Sequence, residues 1–151
     1  MRRCRIRSQM LVLVLLVLVC SLAQAQTVVT IDVKPGSDVN PVNVHAHGVI
    51  PVAILCTLDP TDPTLVTFDP STVDASSLLF GTPGESPAIP CTLEDVNTDG
   101  CPDLMCHFST QGSGIACGDT EVALTGLIAD GTAISGSDTI VTVGCQGKGS
   151  K

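Results

Sequence analysis

Between Leu93 and Phe108, oxygen-bearing side chains fall at alternate positions of a short stretch. It reads Leu-Glu-Asp-Val-Asn-Thr-Asp-Gly-Cys-Pro-Asp-Leu-Met-Cys-His-Phe. Counted from Asp95, the residues Asp95, Asn97, Asp99 and Asp103 occupy loop positions 1, 3, 5 and 9. Gly100 takes position 6, where a calcium loop turns sharply. Cys101 takes position 7, which would offer its backbone carbonyl. Ca2+ takes several oxygens at about 2.3–2.6 Å, and alternate residues of a tight loop can aim them at one point. The spacing therefore leads us to expect Ca2+ as a cofactor held by Asp95, Asn97, Asp99, Cys101 and Asp103. The competing reading is a metal-free polar turn, since Asn and Asp before Gly make turns unaided. That reading leaves four crowded oxygens with nothing to gain and like charges repelling.

The flanks decide what kind of loop this is. Position 12, a bidentate Glu in an EF-hand, is Cys106 here. Leu104–Phe108 is a short apolar run that reads as a strand, not a helix. The unit is thus strand, calcium loop, strand. It resembles the Asp-x-Asp/Asn-x-Asp-Gly-x-x-Asp loops of integrin-type FG-GAP repeats, dockerins and thrombospondin type 3 repeats. That resemblance is confined to the loop itself.

The elements around the loop sit in a chain marked for export. Arg2, Arg3, Arg5 and Arg7 precede an unbroken apolar run from Met10 to Cys20, and Ala23-Gln24-Ala25 is a small-x-small cleavage site. Residues 1–25 read as a signal peptide, residues 26–144 as one β-sandwich domain and residues 145–151 as a flexible tail. An uncleaved anchor and a lipoprotein lipidated at Cys20 are the alternatives; the run is short for a span, and Val19 is not the small residue a lipidation site prefers. Removing residues 1–25 from a chain of 151 leaves 126, enough for one core. Lys34, Lys148 and Lys151 then face 15 acids, a formal net charge of −12. Such a surface disfavours nucleic acid and anionic lipid and suits cations.

Six cysteines remain after cleavage: Cys56, Cys91, Cys101, Cys106, Cys117 and Cys145. An even count in an exported chain reads as a disulfide framework, with fifteen pairings possible. Cys91 and Cys106 lie at nearly mirror positions on the strands flanking the loop, where facing residues are close enough to bridge. Zinc is the rival use, but Cys101 and Cys106 are poorly spaced for it and no Cys-x-x-Cys pair exists.

Elsewhere the chain alternates short β-branched runs with turn signals. Strands are expected at Thr27–Val33, Val42–His47, Val49–Cys56, Leu65–Phe68, Ser76–Phe80, Glu121–Ala129, Thr132–Ser135 and Asp138–Val143, with a hairpin turn at Asp130-Gly131. The Asp-Pro steps at Asp59, Asp62 and Asp69 oppose helix. No helix-period segment follows the signal. The expected fold class is all-β: an antiparallel β-sandwich, Ig-like or jelly-roll-like, of about 8 short strands.

A wider resemblance then emerges. Ile31-Asp-Val-Lys-Pro-Gly-Ser37, Asn43 and Gly48-Val-Ile-Pro-Val-Ala-Ile-Leu55 are followed by Gly118-Asp-Thr-Glu121, Leu124-Thr-Gly126, Asp130-Gly-Thr132, Ile134, Gly136, Asp138 and Ile140. These blocks resemble, in order, an "IDIKPGS…GVIPVAIL…" module of secreted and cell-surface bacterial proteins. The resemblance spans residues 29–143 and implies an extracytoplasmic sandwich of unassigned activity.

No enzyme constellation is present in the sequence: no Gly-x-Ser-x-Gly, no His-Glu-x-x-His, no phosphate loop. His45 and His47, at alternate strand positions, could share a metal with His107, though surface histidines are the plainer reading. Glu94-Asp95 could mimic a glycosidase carboxylate pair, but Asp95 is better used on a metal. The expected function is a secreted, calcium-stabilised, disulfide-linked module with a structural or adhesive role and no catalysis. Its partners would be an extracellular or cell-surface protein or glycan. A calcium-dependent carbohydrate-binding module is the alternative, weakened by the absence of Trp and Tyr. A small secreted hydrolase comes third.

Overall fold

The computed structural model describes residues 26–82 and 87–145. The expected signal peptide and all of the expected tail beyond Cys145 lie outside the described residues. Two four-stranded sheets form the body. One contains β2 (Ile31–Val33), β4 (Val49–Ile54), β8 (Pro87–Glu94) and β9 (Asp103–Ser109) in the order β2-β4-β9-β8, antiparallel throughout. The other contains β1 (Gln26–Val28), β7 (Leu79–Phe80), β10 (Glu121–Leu127) and β11 (Ala133–Thr139) in the order β1-β11-β10-β7. Two small pairs complete the fold: β3 (Pro41–Asn43) with β12 (Val141–Val143), and β5 (Thr57–Leu58) with β6 (Val66–Phe68).

Strand alternation explains how the sheets face one another. Ile31 and Val33, Ile50, Val52 and Ile54, and Leu104, Cys106 and Phe108 are buried on one inner face. Val122 and Leu124, Ile134 and Phe80 are buried on the other. The Phe80 and Phe108 rings meet across the gap with centroids 4.9 Å apart. The all-β, sandwich-like class expected from the sequence is present.

Its wiring departs from expectation in three ways. There are more strands than eight, because long runs are divided. Thr27–Val33 splits at Val29 and Thr30: β1 joins one sheet, running parallel to β11, and β2 joins the other. Gly136 lies at that crossing, and a Cβ there would be 2.6 Å from the Val29 carbonyl oxygen. Asp138–Val143 likewise splits. Asp138 and Thr139 finish β11, Ile140 is buried in the break, and β12 runs parallel to β3. Parallel pairs were not anticipated, because alternation reveals which face is buried but not which neighbour a strand takes.

Local polar turns account for the remaining differences. The expected strand Val42–His47 ends at Asn43, whose side-chain oxygen accepts the His45 N–H at 3.1 Å. That bond competes with the strand ladder and leaves His45 and His47 exposed in a turn. Asp69 and Asp74 cap two short 3-10 turns, Pro70–Thr72 and Ala75–Ser77, by accepting from the Ser71 and Ser76 N–H groups. The second turn occupies the start of the strand expected at Ser76–Phe80.

The core has only two buried aromatic rings, so each carries a large share of the packing. Phe80→Ala should cost about 3–5 kcal/mol, the usual range for emptying a buried phenylalanine site. Denaturant unfolding with disulfides intact measures it; a loss under about 1 kcal/mol would mean that the two sheets do not close on this ring.

Candidate metal centre

The loop from Asp95 to Pro102 joins β8 to β9, as a hairpin connection. Thr98 and Gly100 adopt left-handed backbone, with φ of 63° and 87°. This curls the chain so that its N–H groups turn toward the acidic side chains. Asp95 accepts the Asp99 N–H at 3.2 Å on Oδ1 and the Gly100 N–H at 3.0 Å on Oδ2. The Asn97 Oδ1 accepts the Asp99 N–H at 3.0 Å, and its amide donates to Asp99 Oδ2 at 2.9 Å. Asp99 Oδ1 accepts the Cys101 N–H at 2.8 Å. Asp95, Asn97 and Asp99 are thus gathered on one exposed turn.

Asp103 behaves differently. It is fully buried. Its Oδ1 accepts the Cys56 N–H at 2.7 Å and its Oδ2 accepts the Val96 N–H at 3.0 Å. One carboxylate therefore ties the loop both to itself and to the end of β4. Sequence spacing marked Asp103 as a donor at position 9 but gave no sign of this anchoring role, because Cys56 is remote in the chain.

Disulfides reinforce the same junction. Cys56 is bonded to Cys101, with Cα atoms 5.8 Å apart, so the loop's position-7 residue is fastened to the residue whose N–H Asp103 holds. Cys91 is bonded to Cys106, with Cα atoms 4.4 Å apart, as the hairpin geometry suggested. A bulge makes this pair possible: register shifts between Ile89↔His107 and Thr92↔Met105, so Pro90 and Cys91 oppose the single Cys106. Cys117 and Cys145 form the third bridge. Three disulfides are the mark of an oxidising, extracytoplasmic environment. Among the described residues, no helix is long and apolar enough to cross a membrane.

The donor set fits a hard cation in kind. An oxygen that accepts one N–H keeps a further lone pair, so the exposed oxygens of Asp95, Asn97 and Asp99 keep coordinating capacity, whereas Asp103 is buried with both oxygens engaged by N–H groups. Carboxylates alone do not close a cage: among the described residues, no three His, Cys, Asp or Glu side chains converge as one. An ion here would draw on the Asn97 and Cys101 oxygens and on water. His107 is half-buried on β9, while His45 and His47 lie exposed in the turn after β3. Glu94 is exposed at the end of β8.

Asp32, outside the loop, adds to the negative field. Burial, then the carboxylates of Asp138 and Asp103, hold it above the usual carboxylate range. A raised folded-state value means that the native chain binds this proton more tightly than the unfolded chain. Its contribution is favourable at low pH and is lost as pH rises through the raised value.

No family model, curated protein or solved structure matches the chain.

Two outcomes are expected. Asp103→Ala strands the Cys56 and Val96 N–H groups and should cost about 2–5 kcal/mol in denaturant unfolding, whereas Asp103→Asn, which keeps an acceptor, should cost less. A neutral Asp103→Ala would mean that water replaces the carboxylate freely. In chelator at about pH 7, Asp32→Asn should melt above the parent, and the gap should close as pH falls toward about 4. A gap that widens on acidification would contradict the assigned charge balance.

Proposed function

We propose that this chain is a secreted bacterial module of the "IDIKPGS…GVIPVAIL" kind, stabilised outside the cell by calcium and disulfides, with a structural or adhesive role and no catalysis. The observation that carries this reading is the hairpin loop of residues 95–103. Its oxygens are gathered by backbone N–H groups, and its two ends are fastened by Cys56–Cys101 and Cys91–Cys106. A loop prepared in this way loses little conformational freedom when an ion arrives, which favours binding. Extracellular calcium modules work with dissociation constants on the order of 0.1–1 mM, matched to calcium outside cells.

The role that follows is mechanical. Calcium neutralises the acids at the hairpin tip, and the disulfides hold the tip against β4. The sandwich then presents a rigid acidic surface to an extracellular or cell-surface protein or glycan. The histidines support the non-catalytic reading, since His45 and His47 lie exposed in a turn rather than aligned on a strand.

Thermal melting under non-reducing conditions tests it. Raising Ca2+ to about 10 mM should lift the midpoint by roughly 5–10 °C over chelator, as expected for ligand at ten to a hundred times its dissociation constant. Asp99→Ala should remove at least half of that shift. The proposal fails if parent protein melts identically in calcium and chelator, or if Asp99→Ala leaves the shift whole.

A further inference from the structure

The one described cation stands apart from the acids. Lys34 is the only lysine or arginine among the described residues. It follows β2 directly, and its backbone is left-handed, with φ of 59°. Glycine would hold that conformation without strain, so a lysine there points to a use for its side chain. Its ammonium donates to the Pro41 carbonyl at 2.7 Å. An ammonium has three N–H donors, and a neutral carbonyl takes one of them without matching the charge.

Lys34 and Pro41 line a recess of about 300 Å³ between β3 and the start of β4, with Ala46, Val49, Ile50 and Val143 among its walls. That volume is at the small end of ligand sites. No described Asp or Glu lines it, although the chain carries 15 acids. Within this recess an anion meets a positive charge and an aliphatic wall, not a carboxylate.

The backbone of β4 adds a second feature. Lys34 donates its N–H to the Pro51 carbonyl at 2.8 Å, and the Leu55 N–H donates to the Thr30 carbonyl at 2.9 Å, so Pro51 and Leu55 turn their polar groups toward β2. The Gly48 carbonyl accepts the Thr110 N–H at 3.0 Å, on the β9 side. Successive strand residues present these groups to opposite sides, so Val49 presents its N–H and C=O on the β2 side. Yet β2 ends at Val33, and Pro51 has no N–H to return. Val49 therefore offers one ladder position beyond the end of β2, and it lines the same recess as Lys34.

We infer that this recess binds the C-terminal end of an extracellular polypeptide that finishes in an aliphatic residue. The Lys34 ammonium takes the terminal carboxylate as a charge-assisted hydrogen bond. The last side chain packs on the aliphatic wall. The peptide backbone pairs with Val49, as an added strand does. An acidic sugar would also suit Lys34, but its hydroxyls need several polar partners or an aromatic face, and the chain has no Trp or Tyr. The inference gives a partner to the binding role proposed above and rests on that reading, but its site is separate from the calcium loop.

Titration of the disulfide-intact, 15N-labelled mature chain with acetyl-Ala-Ala-Val tests it. The experiment is run in chelator, so its outcome does not depend on whether the hairpin loop binds calcium. The free acid should move the Val49 amide resonance and saturate with a dissociation constant on the order of 1 mM. The same peptide as its C-terminal amide should bind about tenfold or more weakly, because the charged partner is lost. Lys34→Gln, which keeps the length of the side chain without its charge, should weaken the acid by a similar factor and leave the melting temperature nearly unchanged. No shift at Val49 up to about 10 mM acid overturns the inference. Equal binding of acid and amide, a comparison that needs no variant, overturns it as well. Glucuronate saturating the same resonances at lower concentration than the peptide would replace the peptide end with an acidic sugar.

Discussion

A carboxylate taken out of water must find hydrogen-bond donors, and Asp103 finds them in two backbone N–H groups, one 7 and one 47 residues away. This constrains everything nearby. The Val96 bond closes the hairpin loop on itself. The Cys56 bond docks that loop on the end of β4. The Cys56–Cys101 bridge makes the docking covalent. The exposed oxygens of Asp95, Asn97 and Asp99 are therefore held on a turn that is fixed at both its root and its side, and a flexible acidic loop becomes a shaped one.

Disulfides and polar seams take on work that a larger aromatic core would otherwise do. Only two phenylalanines are fully buried. The three bridges close loops of 45, 15 and 28 residues. In the chain-entropy view each removes about 3–4 kcal/mol of freedom from the unfolded chain. Between the sheets, Asp138 and Asn40 form a polar joint, and Val33 enters that joint through its N–H. Burial first, and then the nearby carboxylates of Asp138 and Asp103, raise the affinity of Asp32 for a proton. A chain this acidic, with one described lysine, has few internal means of balancing such charge. Under the proposed function, calcium from outside would be its complement.

Much of the architecture was legible from residue type and order. Alternation in Val49–Ile54, Leu104–Phe108 and Glu121–Leu127 gave strands whose inner faces are the observed core. Asp130-Gly131 gave a turn, with Gly131 left-handed and Asp130 accepting the Thr132 N–H. The mirror placement of Cys91 and Cys106 about the loop gave a bridge, because a hairpin is a local object whose facing residues follow from its length. The extra breaks at Val29–Thr30 and at Ile140 were not legible. A β-branched run looks the same whether it stays in one sheet or crosses to the next.

What the sequence determined by itself was local: strand faces, turns, the loop's donor spacing and the even cysteine count. Each follows from the preferences of a few neighbouring residues. Only the tertiary structure decided that β1 and β12 run parallel to their partners, that Cys56 reaches Cys101, that Asp103 serves as an anchor, and that Asn40 meets Asp138. The members of these pairs lie far apart along the chain, and what joins them is the need of buried N–H, carbonyl and carboxylate groups for partners once the two sheets have closed.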